Sequence, residues 1–234
     1  MLRLMHLICG VLTRAPEKMT STTFRRYTNL AAAIHLLQQR KITLLDPSTW
    51  DDRNDAFFMS EYKRRTNAAS VLALCFAESH ETYHHWRVFS HGSDGVCIEF
   101  DKEGLLEAFN QDPGTRHGTM NYTLLKEAKK MADIDVEQLP FLKRWPYGDE
   151  AEYRVVHVDP HNSKPFHDVP ISLSHVRRVT LGPWLANALS ESVKKTLKSI
   201  DGCSNLKIYR STLIDNQEWK KLAGRAAPIL PDHR

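Results

Sequence analysis

The sequence predicts a single α+β domain with a mixed, mainly antiparallel β-core and peripheral helices. Three observations carry that expectation. Short apolar, β-branched runs recur along the chain, the clearest being VLALCF at 71–76, GVCIEF at 95–100 and VRRVTL at 176–181. Segments with apolar residues at helical spacing fall irregularly between them, so regular βαβ alternation is missing. At 234 residues the chain is long for one domain and short for two, and large enough to bury a core without staples.

In order, FRRY at 24–27 reads as a short strand, and Thr28 as the N-cap of a helix over 29–40 with Leu30, Ile34 and Leu37 on one side. A strand at 41–45, a turn at 46–49 and a polar, acidic loop at 50–56 (WDDRNDA) follow. After the strand at 71–76, a helix is expected over 81–90, ended by Gly92 and Gly95. Asp101 caps a helix running through Phe109, 111–118 reads as loop, and 120–124 as strand. A charged helix or helix pair is expected over 124–139.

The stretch at 143–158, KRWPYGDEAEYRVVHV, turns at Pro146 and Gly148 and continues as a strand. A Pro- and His-containing loop covers 159–170, and the strand at 176–181 leads through Gly182-Pro183 into a helix. Leu185, Leu189, Val193, Leu197 and Ile200 give that helix an apolar face, and Gly202 stops it before a last strand at 206–209. The expected organisation is an extension at 1–20, one domain at 21–222 and a loose tail at 223–234.

Composition excludes several classes. With 41% hydrophobic and 26% charged residues the chain is not disordered, and no segment approaches the roughly 20 apolar residues of a membrane span. The apolar run at 1–12 is short for a signal peptide, and Met19 serves equally as a start. A net charge of +4 permits a nucleic-acid partner without demanding one. Cys9, Cys75, Cys97 and Cys203 form no CxxC pair, which argues against a disulfide framework or zinc site and fits a reducing cytoplasm. No GxSxG, GxxxxGK[ST] or GxGxxG motif is present.

What remains is a set of polar and aromatic residues at expected strand ends. On a strand, Glu150, Glu152, Arg154 and Val156 share one face. Two neighbouring carboxylates raise at least one pKa, which suits acid/base or electrostatic work. A solvated strand end with Arg154 neutralising a neighbour also accounts for them. Arg25, Arg26, Tyr27 and Thr28 close the first strand, Asp51, Asp52 and Asp55 follow the second, and Trp86 lies between the third and fourth. Histidines offer two metal-ligating patterns: His80, His84, His85 and His91 around Trp86, and His157, Asp159 and His161.

The order of these motifs resembles a bacterial family known as a domain of unknown function. The matching stretches are FRRYTNLAAAIHLLQQRKI, WDDRNDAF, LCFAES, HHWRVFSHGSDGVCIEFD, KRWPYGDEAEYRVV and VRRVTLGPWLANAL, spanning about 24–209. Asp51-Asp52-Arg53 replaces the family's Asn-Asp-Pro, and Phe89 stands where a tyrosine is common. A basic first-strand residue with Thr two later, a helix opening on Asn-Leu, and Glu-x-Glu on a later strand are also similar to ADP-ribosyltransferase toxins.

That second resemblance implies a split β-core, NAD as cosubstrate, and a toxin or phage-defence effector in the cytoplasm. Its acceptor would be RNA, DNA or protein, with an antitoxin or chaperone partner and no membrane. On this reading Glu152 is catalytic and Glu150 orients the acceptor. Arg26, Tyr27, Thr28 and Asp52 bind NAD, and Trp86 and Phe89 line the pocket. No metal is required. Two other readings stay open: a metal-dependent hydrolase or nuclease using the histidine sets with Asp51 and Asp52, and a non-catalytic binding module.

Overall fold

The computed structural model describes residues 21–90 and 92–226. The expectations for residues 1–20, His91 and residues 227–234 lie outside them.

The chain opens on β1 (Thr23–Asn29) and turns directly into α1 (Leu30–Gln39). Asn29, not Thr28, caps this helix: its side chain accepts from Ala32 N at 2.9 Å, while Thr28 is still strand. After β2 (Lys41–Leu45) the expected acidic loop is instead the start of α2 (Arg53–Arg65). Asp52 caps it through Asn54 N at 3.0 Å, and Asp55 in the first turn with Lys63, Arg64 and Arg65 in the last complement the helix dipole. The acids at 51–55 are therefore a helix-start signal.

β3 (Ser70–Ala77), α3 (Tyr83–Phe89), β4 (Gly95–Asp101) and α4 (Lys102–Gln111) follow the expected pattern. The segment expected as loop contains β5 (Thr115–Thr119), a polar strand recruited by pairing. β6 (Asn121–Thr123) comes next, but the expected charged helices shrink to α5 (Leu125–Ala128) and a 3-10 turn at Val136–Phe141 that contains Pro140. β7 (Leu142–Arg144) pairs with β6 in a small parallel ribbon.

A 3-10 turn at Trp145–Glu150 leads into β8 (Glu152–Asp159), and β9 (Phe166–Pro170) occupies part of the expected loop. β10 (Val176–Leu181) is as expected, but α6 (Asn187–Lys198) begins several residues beyond Gly182-Pro183. Its apolar face is narrower too, because Leu189 is exposed while Leu197 is buried. β11 (Ile208–Arg210) and α7 (Gln217–Lys221) complete the described chain.

Nine strands form one mixed, mainly antiparallel sheet. β1 lies between β4 and the end of β3, and β4 continues to β10 and the parallel β11. β8 pairs with β3 along its whole length and carries β5 on its other side. The opposite edge of β3 is shared: β1 meets it only at Arg25↔Ala77, and β2 only at Leu45↔Ala73. The core is thus split, with β1 and β2 diverging from one strand.

Phe24, Leu37, Ile42, Phe76, Ile98, Phe109, Val155 and Leu197 fill the main core beneath α1, α4 and α6. On the other face, Met59, Tyr62, Ala73 and Val156 pack under α2, and Tyr27, Ala77, Trp86 and Cys97 under α3. No described helix is long and apolar enough to cross a membrane.

Candidate active site

The divergence of β1 from β2 opens a cleft of about 540 Å³ over the Ala73–Ala77 part of β3. Arg25, Arg26 and Tyr27 line one wall. Asp52, Asp55, Lys143, Glu150 and Glu152 line the other, and Trp50, Phe89 and Tyr147 supply aromatic surface.

The acidic wall is a buried network of five charges. Arg154, fully buried, grips Asp55 with two parallel bonds of 2.8 and 2.6 Å. Its Nε donates to Glu152 Oε1 at 2.7 Å and its Nη1 to the Pro140 carbonyl at 2.9 Å. The guanidinium also lies over the Trp50 ring, 4.7 Å from the centroid. Lys143 Nζ donates to Glu150 Oε2 at 2.5 Å and Glu152 Oε2 at 2.9 Å, with Asp55 Oδ2 at 3.5 Å.

This arrangement gives the two glutamates different acidities. Burial alone would raise the Glu152 pKa, but the charges of Arg154 and Lys143 outweigh it and hold the carboxyl at about 2. Glu150, with Lys143 as its one cation, is pushed above the ordinary carboxylate range by burial. Glu152 is the member held ionised at neutral pH, and Glu150 is the more weakly acidic of the two. Desolvation, with Glu152 next to it, pushes the Cys75 thiol well up, which disfavours the reactive thiolate.

The backbone explains how both acids reach one lysine. Glu150 ends the 3-10 turn and does not share the strand face expected for it; only Glu152, Arg154 and Val156 lie on β8. Between the acids Ala151 is left-handed, φ 43, a strained conformation for a residue with a Cβ. His85 fixes the turn from above, with Nε2 at 3.1 Å from the Glu150 carbonyl and Nδ1 at 2.7 Å from Thr82 Oγ1.

The opposite wall behaves differently. Arg25 is held by protein partners, Nη1 donating to the Ser79 carbonyl at 2.8 Å and Nε 3.4 Å from Glu99. Arg26 Nη1, by contrast, is buried with no hydrogen-bond partner among the described residues, and burial lowers its pKa to about 10. The neighbouring Tyr27 hydroxyl is likewise buried and unpartnered, its ring stacked on His85 at 5.1 Å. A buried donor left open costs about 1–3 kcal/mol, and an anion in the cleft could satisfy it.

Glu150, Glu152, Arg26, Tyr27, Asp52 and Phe89 all line the cleft; Thr28 and Trp86 do not. Trp86 is completely buried, its Nε1 donating to Glu81 Oε1 at 2.6 Å, so it packs α3 onto the sheet and offers no face for stacking. Asp55 was expected only as one of the polar residues after the second strand, and Lys143, Trp50 and Tyr147 line the cleft with no role expected from the sequence. Asp55 lies 99 positions from Arg154 and only the fold reveals their pairing; Lys143 carried a signal in its position just before the Glu-x-Glu motif.

Neither histidine pattern forms as expected. His85 spends both ring nitrogens on protein partners, and Asp159 accepts from His161 N and Asn162 N, capping a turn. Among the described residues, the group of three side chains with metal-ligand spacing is Asp112, His157 and His167, without Asp51, Asp52, His80 or His84.

No protein-family model matches the chain, so the resemblance to the domain-of-unknown-function family finds no support there, and no curated protein matches. Among solved structures, the chain is similar to Thermus sp. 2.9 DarT in complex with NAD+ (TM-score 0.42, 10% identity, covering 82% of this chain and 96% of that one). It is also similar to the same protein in complex with ADP-ribosylated ssDNA (TM-score 0.42, 12% identity, 82% and 94%). A third, the complex with carba-NAD+, gives a TM-score of 0.41 at 12% identity over 84% and 97%.

Proposed function

We propose that this chain is an NAD-dependent ADP-ribosyltransferase-like enzyme of the toxin or phage-defence kind, with a nucleic acid as acceptor. The observation that supports it best is the pairing, across one cleft, of an open Arg26 guanidinium with two carboxylates of opposite acidity.

NAD supplies a ribose carbon whose bond to nicotinamide breaks, the electron pair leaving with the nicotinamide, while the acceptor forms the new bond. Arg26 donates to the pyrophosphate oxygens, which takes up the N–H that the fold leaves open. Phe89 and Tyr147 offer aromatic faces to the nicotinamide. Glu152, held ionised, lies against the positive charge that develops on the ribose and accepts from a ribose hydroxyl. Glu150 orients the acceptor and takes its proton, its carboxyl pushed above the usual value by burial and so a stronger base than an exposed glutamate. The positive net charge favours a polyanionic acceptor.

The test is growth arrest on induction, with transfer of label from adenylate-labelled NAD to DNA or RNA by the purified chain. Glu152→Gln is expected to abolish arrest and lower transfer by about 100-fold or more. Undiminished toxicity and transfer in Glu152→Gln would contradict the reading; label on protein alone would keep the transferase and overturn the nucleic-acid acceptor.

A further inference from the structure

Away from the cleft, three side chains from three elements converge without a part in the chemistry above. Asp112 closes α4, His157 lies on β8 and His167 on β9. Asp112 Oδ2 is 2.9 Å from His167 Nε2 and 3.4 Å from His157 Nδ1, and the ligand atoms of all three lie within 4.8 Å of one another. The side chains are 6%, 15% and 17% exposed for His157, Asp112 and His167, sheltered yet within reach of an entering ion. Thr115 hydrogen-bonds Asp112 and steadies its carboxylate.

Sheet geometry makes this meeting unusual. Counting through β3 and β2, β9 is the third strand from β8, which in a flat sheet is about 14 Å away. The two imidazoles nevertheless stack at 3.5 Å between centroids, 6° from parallel. The sheet therefore bends enough for side chains of β8 and β9 to meet, and these residues sit on the seam. His157 is five positions beyond Glu152, about 17 Å along the strand, and on the opposite face of the pleat, so the seam is separate from the cleft.

We propose that Asp112, His157 and His167 bind one zinc-class divalent cation that staples this seam. Two imidazole nitrogens and a carboxylate oxygen are a ligand set for a borderline-soft cation, with water completing a tetrahedron. The 2.9 and 3.4 Å spacings to Asp112 are close to those of ligand atoms around one ion, and the two rings, stacked with their lone pairs in near-parallel planes, converge on it by rotating about the broad χ2 of histidine. Joining β8 to β9, the ion holds the β2–β9 half of the split sheet against the β3–β8 half.

Full-length chain stripped with a chelator should take up one equivalent of Zn2+, raising its melting temperature by about 5–10 °C at an ion concentration near 100 times Kd. His167→Ala and Asp112→Ala should each lose the equivalent and the shift; the double variant His80→Ala/His84→Ala should keep both. Co2+ should give tetrahedral visible bands in the wild type, a readout that stands even if a variant fails to fold. No stoichiometric uptake and no Co2+ bands in the wild type, or uptake that survives in His167→Ala, would overturn the site.

Discussion

The two walls of the cleft handle buried charge in opposite ways. On the β8 wall the two cations Arg154 and Lys143 are paired with the three carboxylates of Asp55, Glu150 and Glu152 at 2.5–3.5 Å. On the β1 wall Arg26 keeps a buried N–H open. Paired charges are expensive to break and define where groups sit; an unpaired buried donor costs the folded chain stability and is available to a ligand. The contrast separates architecture from recognition within one cleft, and it can be broken from either side.

The largest effect is expected from Arg154→Met. Removing the guanidinium leaves Asp55 and Glu152 buried without their main partner and should cost about 3–5 kcal/mol in denaturant unfolding. Arg26→Met is the mirror experiment: stability unchanged or slightly higher, with NAD affinity reduced by about tenfold or more, because only a charge-assisted bond to the ligand is lost. Equal destabilisation by the two variants would erase the distinction between the walls.

Acid unfolding sharpens the same comparison. Glu152 is held near pKa 2 in the fold against 4.5 as its ordinary value, so it contributes stability that is fully present above about pH 4.5 and lost as pH falls toward 2. The wild type should lose a few kcal/mol across that window. Glu152→Gln should show a shallower slope there, whereas Arg26→Met should follow the wild type. A Glu152→Gln slope as steep as the wild type's would show that the network does not hold Glu152 ionised.

The smallest effect concerns the kink that brings the acids together. Ala151→Gly relieves the positive φ and should stabilise the chain by about 0.5–1 kcal/mol, with the transfer rate unchanged or lower as the turn loosens. A clear loss of stability would mean that Ala151 is not strained.

Much of this was legible in the sequence because buried strands advertise themselves. Val71 to Phe76 and Val96 to Ile98 are apolar on both faces of the sheet, as strands buried on both sides are. β5 and β9 were illegible for the converse reason: TRHGT and FHDVP have no apolar alternation and become strands only through their pairing with β8 and β2. At the site, Arg26 and the Glu150/Glu152 pair stood out as polar residues at the ends of apolar strands. The Asp55–Arg154 pair could not be read, since nothing local distinguishes an acid in the first turn of a helix from one that will meet a guanidinium across the core. Trp86 misled because a tryptophan inside a motif serves packing as readily as stacking, and only its complete burial decides.

The most direct test of the account is thermal unfolding with and without NAD, for the wild type and Arg26→Met side by side. A ligand that binds only the folded chain raises its midpoint, by about 5–10 °C at 100 times Kd for a domain of this size. The account predicts that rise in the wild type and its loss in Arg26→Met, with the two midpoints close in the absence of NAD. No rise in the wild type, or an undiminished rise in Arg26→Met, would contradict it.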